Sequence, residues 1–79
     1  MTNEDRFKSI LSTILLVPAS EILDTTSAES LDTWDSLNHI SLLGALEQEF
    51  GITINTDRIE KTRSVAALRS VLSENGVEF

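Results

Sequence analysis

The chain has 79 residues, the size of one small domain, and its acidic residues outnumber Lys and Arg by 13 to 6. The net charge of −7 argues against binding to nucleic acid or an anionic membrane surface, because both need cationic side chains. Cysteine is absent, which excludes disulfides, thiolate nucleophiles and cysteine-based zinc sites. No apolar run is long enough to span a bilayer, and the first residues lack the order of a signal peptide. We therefore expect one soluble, cytoplasmic domain over residues 1–79.

The charges are distributed unevenly along the chain. Between Lys8 and Arg58 the sequence contains no Lys or Arg, while Asp and Glu recur throughout this stretch. The middle of the chain is therefore either a docking surface for basic partners or simply a solvated acidic face.

The first predicted helix runs from Glu4 to Leu16. Its apolar residues follow the spacing of a single helical stripe, namely Phe7, Ile10, Leu11, Ile14 and Leu15. Thr2 and Asp5 form a capping-box pattern at its start. Pro18 ends it, because proline has no N–H and pushes the preceding residue out of the helical conformation.

A long connection rich in Ser, Thr and Asp follows, from residue 18 to residue 35. These residue types favour turns and helix caps, so the connection is expected to contain short turns of its own. Its large apolar residues are expected to pin it to the core, and they are Ile22, Leu23, Leu31 and Trp34.

The second predicted helix runs from Leu37 to Phe50 and ends at Gly51, a residue that favours the left-handed cap conformation. At about 100° per residue, one arc of this helix forms the core face. That arc contains Leu42, Leu43, Leu46 and Phe50. Leu37 and Ile40 fall outside the arc, so they are either ordinary surface residues or part of a contact patch.

The last third of the chain predicts two further helices. Asp57 and Glu60 form a second capping-box pattern that opens a short helix over Arg58 to Thr62. Ser64 is placed to cap the last helix, which ends near Gly76. The core stripe of this last helix consists of Val65, Leu68, Val71 and Leu72.

The predicted fold class is all-α, a small bundle of three main helices plus one short helix, with a long loop between the first and second helices. One short alternating stretch, Ile52 to Ile54, could extend as a strand, but it has no partner with which to build a sheet.

The sequence offers few residues for catalysis. A Ser-His-Asp set can be assembled from Ser36, His39 and Asp35, but no oxyanion pocket is evident around it. His39 is therefore expected to be a surface or loop-packing residue. No metal-ligand spacing is present in the sequence.

Ser36 has two interpretations at the predicted start of the second helix. The first is an ordinary N-cap, a common position for serine. The second is a covalently modified serine, because a phosphodiester at a helix N-terminus meets free backbone N–H groups and the positive end of the helix dipole.

The sequence resembles the acyl carrier protein family over nearly its whole length. The resemblance is carried by the motif Asp35-Ser36-Leu37 and by the run Leu-Leu-Gly-Ala-Leu-Glu-Gln-Glu-Phe-Gly-Ile over residues 42–52. It implies that Ser36 carries 4′-phosphopantetheine, attached from coenzyme A by a phosphopantetheinyl transferase. An acyl group would then be held as a thioester on the thiol of this arm, and the protein would not be an enzyme.

The resemblance also implies a docking surface and an acyl site. Asp35, Leu37, Ile40 and Glu47 match the family's positions for contact with partners, which would be the transferase and acyl-loading or acyl-processing enzymes with basic patches. The protein would work as a monomer. The acyl site would lie between the second helix and the short third one. Its candidate lining residues are Leu43, Leu46, Ile54 and Ile59, each of which could equally be a core residue.

Several positions depart from the family's usual pattern. Thr33 and Trp34 precede the motif where glycine is common, and Asn38 and Ser41 stand where acids are usual. The short third helix, usually acidic, has the basic residues Arg58, Lys61 and Arg63 in and next to it, and Thr62 stands where an apolar residue is common. These departures favour a specialised carrier, serving a lipid, polyketide or surface-polysaccharide pathway, over housekeeping fatty acid biosynthesis. An aminoacyl or peptidyl carrier and an unmodified acidic interaction domain are the alternatives.

Overall fold

The computed structural model describes residues 2–79, and within that range it contains three α-helices and three short 3₁₀ turns. The helices are α1 at Asn3–Leu15, α2 at Ser36–Phe50 and α3 at Val65–Glu74. The 3₁₀ turns lie at Ala19–Glu21, Thr56–Arg58 and Glu60–Thr62, and the last two are called here the 56–62 segment. Residues 2–79 contain no strand, so the all-α class is confirmed.

The predicted capping box at the start of α1 is present. Thr2 Oγ1 accepts a hydrogen bond from the backbone N–H of Asp5 at 3.1 Å, and Asp5 Oδ2 accepts one from the N–H of Thr2 at 3.3 Å. The helix ends at Leu15, one residue earlier than predicted, and Leu16 takes the left-handed cap conformation with φ of 60°. Such a cap satisfies an orphan carbonyl, here that of Ser12.

The core is formed by the faces that the apolar spacing predicts. α1 contributes Phe7, Leu11 and Leu15; α2 contributes Leu42, Leu43 and Leu46; and α3 contributes Val65, Leu68, Val71 and Leu72. The predicted core residues Ile10, Ile14 and Phe50 are only partly buried, at the margin of this cluster. Each helix therefore buries one stripe against the other two, as expected for a small bundle.

The loop between α1 and α2 is held to the bundle by side chains and by backbone bonds. Ile22 and Trp34 are buried and Leu31 is partly buried, as predicted, but Leu23 is 59% exposed, so its predicted role is wrong. A tight turn explains this exposure: the Leu23 N–H donates to Thr26 Oγ1 and its carbonyl accepts from the Thr26 N–H. An isolated antiparallel bridge joins residues 27 and 64, which fastens the loop to the start of α3.

The short helix predicted over Arg58 to Thr62 is present only as two 3₁₀ turns, and its predicted capping box is wrong. Asp57 lies inside the first turn rather than before it, and neither turn has a side-chain cap. The Ile59 carbonyl accepts hydrogen bonds from His39 Nε2 and from the Thr62 hydroxyl and N–H. Because this carbonyl is already occupied, it does not take the i+4 bond from Arg63 that would continue an α-helix.

Arg69 on α3 ties together three other parts of the chain. Its Nη1 and Nη2 bond the Glu4 carboxylate, the latter at 3.1 Å, and its Nε bonds Asp24 Oδ1 at 3.1 Å. Its Cζ lies 5.1 Å from the ring centroid of Phe7 and 4.9 Å from that of Phe79. The hydrogen bond from Arg69 lowers the pKa of Glu4 below its ordinary value. This clamp therefore stabilises the bundle most strongly when Glu4 is charged.

We predict that Glu4→Gln makes the protein less sensitive to acid. Because the pKa of Glu4 is lower in the folded than in the unfolded chain, its charge stabilises the fold above pH 4.5, the ordinary value. This contribution is lost as the pH falls through the folded pKa. Urea unfolding at several pH values should therefore give a free energy of unfolding that falls less steeply in acid for Glu4→Gln than for the wild type.

Glu29→Gln is the matched control for this experiment. Glu29 is exposed and makes no ion pair with residues 2–79. It should keep the wild-type slope. Equal slopes for the two variants would contradict the role given to the ion pair with Arg69.

Candidate functional site

The start of α2 is set by Asp35, which is the N-cap of the helix. Its backbone is extended, its Oδ1 accepts a hydrogen bond from the Asn38 N–H at 2.8 Å, and its carbonyl accepts one from the His39 N–H at 2.9 Å. Ser36 is therefore the first residue of the helix, and the interpretation of Ser36 as the N-cap is wrong. Ser36 is exposed, and its hydroxyl makes no hydrogen bond within residues 2–79.

The backbone around Ser36 fits an anionic group. Asp35 accepts hydrogen bonds from the N–H groups of Asn38 and His39. In the described part of the chain, the N–H groups of Ser36 and Leu37 have no protein acceptor. The first turn of α2 contains no acidic residue, and the positive end of the helix dipole lies there. Two free N–H donors at a helix start are suited to a phosphodiester on the neighbouring hydroxyl.

Apolar side chains lie exposed beside Ser36. Leu37 is 75% exposed and Ile40 is 52% exposed, which confirms that both lie off the core face of α2. Gly44, one turn beyond Ile40, has no heavy atom within 4 Å of the place where a Cβ would be. This side of α2 is therefore open, and large apolar residues on an open surface are a common sign of a contact patch.

His39 is buried and holds two loops against α2. Its ring is 1% exposed, and its Nδ1 accepts a hydrogen bond from Trp34 Nε1 at 2.9 Å. An indole N–H can only donate, so Nδ1 of His39 accepts this bond and carries no proton. The proton of the neutral ring is therefore on Nε2, which lies 2.7 Å from the Ile59 carbonyl oxygen. Thr62 Oγ1 lies 3.2 Å from the same nitrogen. The prediction of loop packing is thus confirmed, and the alternative of a surface residue is wrong.

These bonds leave no catalytic pair of Ser36 and His39. Both ring nitrogens already have partners, so neither is free to accept a proton from the Ser36 hydroxyl. The burial of His39 had a signal in the sequence. His39, Leu42, Leu43 and Leu46 share the i, i+3, i+4, i+7 spacing, so the histidine belongs to the core stripe of the helix.

The remaining predicted site residues are divided between the core and the end of α2. Leu43, Leu46 and Ile54 are buried, and Ile59 packs against the same cluster from the 56–62 segment. Glu47 Oε2 accepts a hydrogen bond from the Ile54 N–H at 2.7 Å, which holds the connection after α2 against the helix. This carboxylate therefore has a structural partner that its place in the sequence did not reveal.

Neither a metal-binding cluster nor a membrane-spanning helix is present in the described residues. Residues 2–79 contain no group of three or more His, Asp or Glu side chains that could hold a metal ion. No helix within this range is long and apolar enough to cross a bilayer.

Comparison with known proteins gives a family. Residues 5–72 match the family described as the phosphopantetheine attachment site. The chain is 37% identical over 78 residues to an acyl carrier protein of Petrotoga mobilis (strain DSM 10674 / SJ95), covering 94% of this chain and 91% of that protein. It is 36% identical over 62 residues to an acyl carrier protein of Buchnera aphidicola subsp. Schizaphis graminum (strain Sg), covering 78% of each.

These matches indicate a carrier rather than a catalyst, with 4′-phosphopantetheine as its covalently attached prosthetic group. The free N–H donors at the start of α2 are compatible with the phosphodiester of that group. The chain therefore belongs to the acyl carrier protein family.

Proposed function

We propose that Ser36 is the attachment point of 4′-phosphopantetheine and that the protein carries acyl groups on this arm between partner enzymes. The observation that carries the proposal is the exposed, unbonded hydroxyl of Ser36 at the first position of α2. When bound, the arm supplies a terminal thiol that holds an acyl group as a thioester, a function for which the cysteine-free chain has no residue.

The chain's own residues contribute position and charge at this site. Asp35 fixes where α2 begins and so keeps the Ser36 hydroxyl outside the helix hydrogen bonding. The N–H groups of Ser36 and Leu37 are available to donate to phosphate oxygens. The buried bonds of His39 and Trp34 keep the loop before Ser36 in place. We propose that one carrier domain over residues 1–79 does this as a monomer.

The proposed docking surface consists of Asp35, Leu37, Ile40 and Glu47. The two apolar side chains are exposed, and Glu47 Oε1 makes no hydrogen bond within residues 2–79. Residues 9–57 contain no Lys or Arg, so this surface suits partners with basic patches around an apolar depression. Such partners are a phosphopantetheinyl transferase and enzymes that load or process the acyl group.

The proposed acyl site lies between α2 and the 56–62 segment, lined by Leu43, Leu46, Ile54 and Ile59. These four residues belong to one continuous apolar cluster, and Ile59 is at its partly buried margin. An acyl chain entering there would replace core contacts with contacts of the same chemical kind.

We propose that the pathway served is a specialised one. The first turn of α2 carries no acid, and Asn38 and Ser41 follow Ser36 on this helix. The 56–62 segment and the residue after it carry Arg58, Lys61 and Arg63. Asp57 and Glu60 alternate with these cationic residues, so the segment has mixed charge. Such a surface would select different partners from a uniformly acidic one, because like charges across an interface are unfavourable.

Ser36→Ala tests the attachment point. After incubation with coenzyme A and a broad-specificity transferase, the intact mass of the wild type should rise by one phosphopantetheine, and that of Ser36→Ala should not change. Ser41→Ala is the matched control, because Ser41 is an exposed serine further along α2, and it should gain the same mass as the wild type. A mass gain in Ser36→Ala would contradict the assignment, and no gain in the wild type would favour an unmodified interaction domain.

Two variants of Asp35 separate its role as the N-cap of α2 from the role of its negative charge in docking. Asp35→Asn keeps a good N-cap, so its stability should match the wild type, whereas Asp35→Ala should lose about 1 kcal/mol of unfolding free energy. If the charge serves docking, kcat/KM of the transferase should fall about tenfold in both variants, as is typical for an interfacial charge. Wild-type kcat/KM for Asp35→Asn would show that Asp35 is a cap alone.

Leu37→Ser and Ile40→Ser test the apolar part of the docking surface. Both side chains are exposed, so unfolding free energies should change by no more than about 0.5 kcal/mol. Each variant should lower kcat/KM of the transferase by about tenfold, the effect of removing a residue that contributes to an interface. Leu16→Ser is the matched control, because Leu16 is 77% exposed at the end of α1. An equal loss in this control would mean that general surface hydrophobicity, rather than this patch, is recognised.

A further inference from the structure

The one histidine and the one tryptophan of the chain are bonded to each other next to the start of α2. Trp34 comes from the loop two residues before Ser36, and His39 comes from the first turns of α2. On its other side, the His39 ring meets the Ile59 carbonyl at 2.7 Å and the Thr62 hydroxyl at 3.2 Å. Three separate parts of the chain therefore meet at one buried imidazole.

Within residues 2–79, His39 is also the only polar connection between α2 and the 56–62 segment. Every hydrogen bond between these two parts ends on His39 Nε2. No ion pair of the described residues joins them. The remaining attraction comes from the apolar cluster, which has no preferred direction. Among the described residues, the imidazole is therefore the directional link between the segment and α2, while the ion pair of Arg58 with Glu74 joins the segment to α3.

The hydrogen bonds that link Trp34, His39 and Ile59 depend on one another. The indole N–H of Trp34 only donates, so it needs the Nδ1 lone pair of His39. The proton on Nε2 needs the Ile59 carbonyl, which the Thr62 hydroxyl also bonds at 2.9 Å. Removing either ring would leave a buried polar group without a partner, which costs more than the bond itself contributes.

We propose that His39 is a positioning residue that latches the loop before Ser36 to the 56–62 segment, so that the attachment site and this segment open and close together. The latch is the bonded chain of Trp34, His39 and Ile59. A partner that displaces the loop at Ser36 would loosen one wall of the proposed acyl site through it. The latch is inferred from the hydrogen-bond geometry alone, whereas its effect on modification of Ser36 rests on the proposed function.

The first test uses the unmodified wild-type protein. In nitrogen-15 NMR spectra the one tryptophan gives a single indole signal, and a through-bond coupling between Trp34 Nε1 and His39 Nδ1 is expected. The indole proton should also exchange slowly with solvent. An indole proton that exchanges freely and shows no coupling would overturn the latch, whatever the variants do.

The second test measures amide hydrogen exchange in His39→Leu, Trp34→Phe and the double variant. In each, exchange at the hydrogen-bonded amides of the 56–62 segment and at those of Trp34 and Asn38 should rise by at least about tenfold, because each variant removes at least one buried hydrogen bond. Amides of α1 and α3 should not change. The double variant should exchange no faster than either single variant, because all three break the same bonded unit.

Two further variants separate positioning from general stability. His39→Gln keeps one acceptor and one donor on the side chain, and it should restore slow exchange in both regions. Ser64→Ala removes the side-chain cap of α3, so it lowers the melting temperature without touching the latch and should leave residues 34–38 unchanged. Faster exchange spread evenly over all helices in His39→Leu, or a Gln variant that behaves like Leu, would overturn the proposal.

The functional readout is kcat/KM of a phosphopantetheinyl transferase on the same variants. His39→Leu and Trp34→Phe should each lower it by about tenfold, because both break the latch, and Ser64→Ala should not. Unchanged kcat/KM in both latch variants would overturn the effect on Ser36. If even the wild type is not modified, the proposed function fails, and the exchange measurements still decide the latch.

Discussion

The position where α2 begins decides most of what this protein presents to its surroundings. The Asp35 carboxylate accepts a hydrogen bond from the Asn38 N–H and so makes Ser36 the first helical residue. Within the helix, the turn of about 100° per residue separates the apolar arc, which packs inward, from the side chains outside it. Leu42, Leu43 and Leu46 then form the core face, while Leu37 and Ile40 remain in solvent.

The loop between α1 and α2 is part of the scaffold in spite of its composition. A chain of this length has little apolar surface to bury, so it uses loop residues to complete its core. Ile22 and Trp34 are buried as deeply as the helix residues, and Arg69 binds Asp24 of the same loop. The bridge between Ser27 and Ser64 adds a backbone connection to α3. The loop that leads to Ser36 is consequently fastened to the bundle before α2 begins.

The proposed function divides the first turns of α2 between two faces with different roles. The outward face carries the Ser36 hydroxyl and the exposed apolar residues, which are available to partners. The inward face carries His39, whose bonds reach the loop before Ser36 and the 56–62 segment after the helix. The surface that partners would touch is therefore joined by directional bonds to the segment beside the proposed acyl site.

Local chemistry in the sequence was enough to predict the helices, their core stripes, the cap of α1 and the exposed position of Leu37 and Ile40. These features depend on residue spacing and on neighbours within one turn, both of which can be read along the chain. The motif around Ser36 likewise led to the family from the sequence alone.

Only the tertiary structure decided the features that depend on contacts between distant residues. The bond between Trp34 and His39, the commitment of the Ile59 carbonyl and the hydrogen bond from Ile54 to Glu47 join different elements. The first two give the buried His39 ring its partners, and the Ile59 carbonyl, once occupied, does not take the i+4 bond that would continue the second 3₁₀ turn as an α-helix. The sequence by itself thus determined where the three α-helices lie and which family the chain belongs to. The folded chain decided which polar groups find partners, because a hydrogen bond needs two atoms in contact and residue spacing predicts contact only within one element.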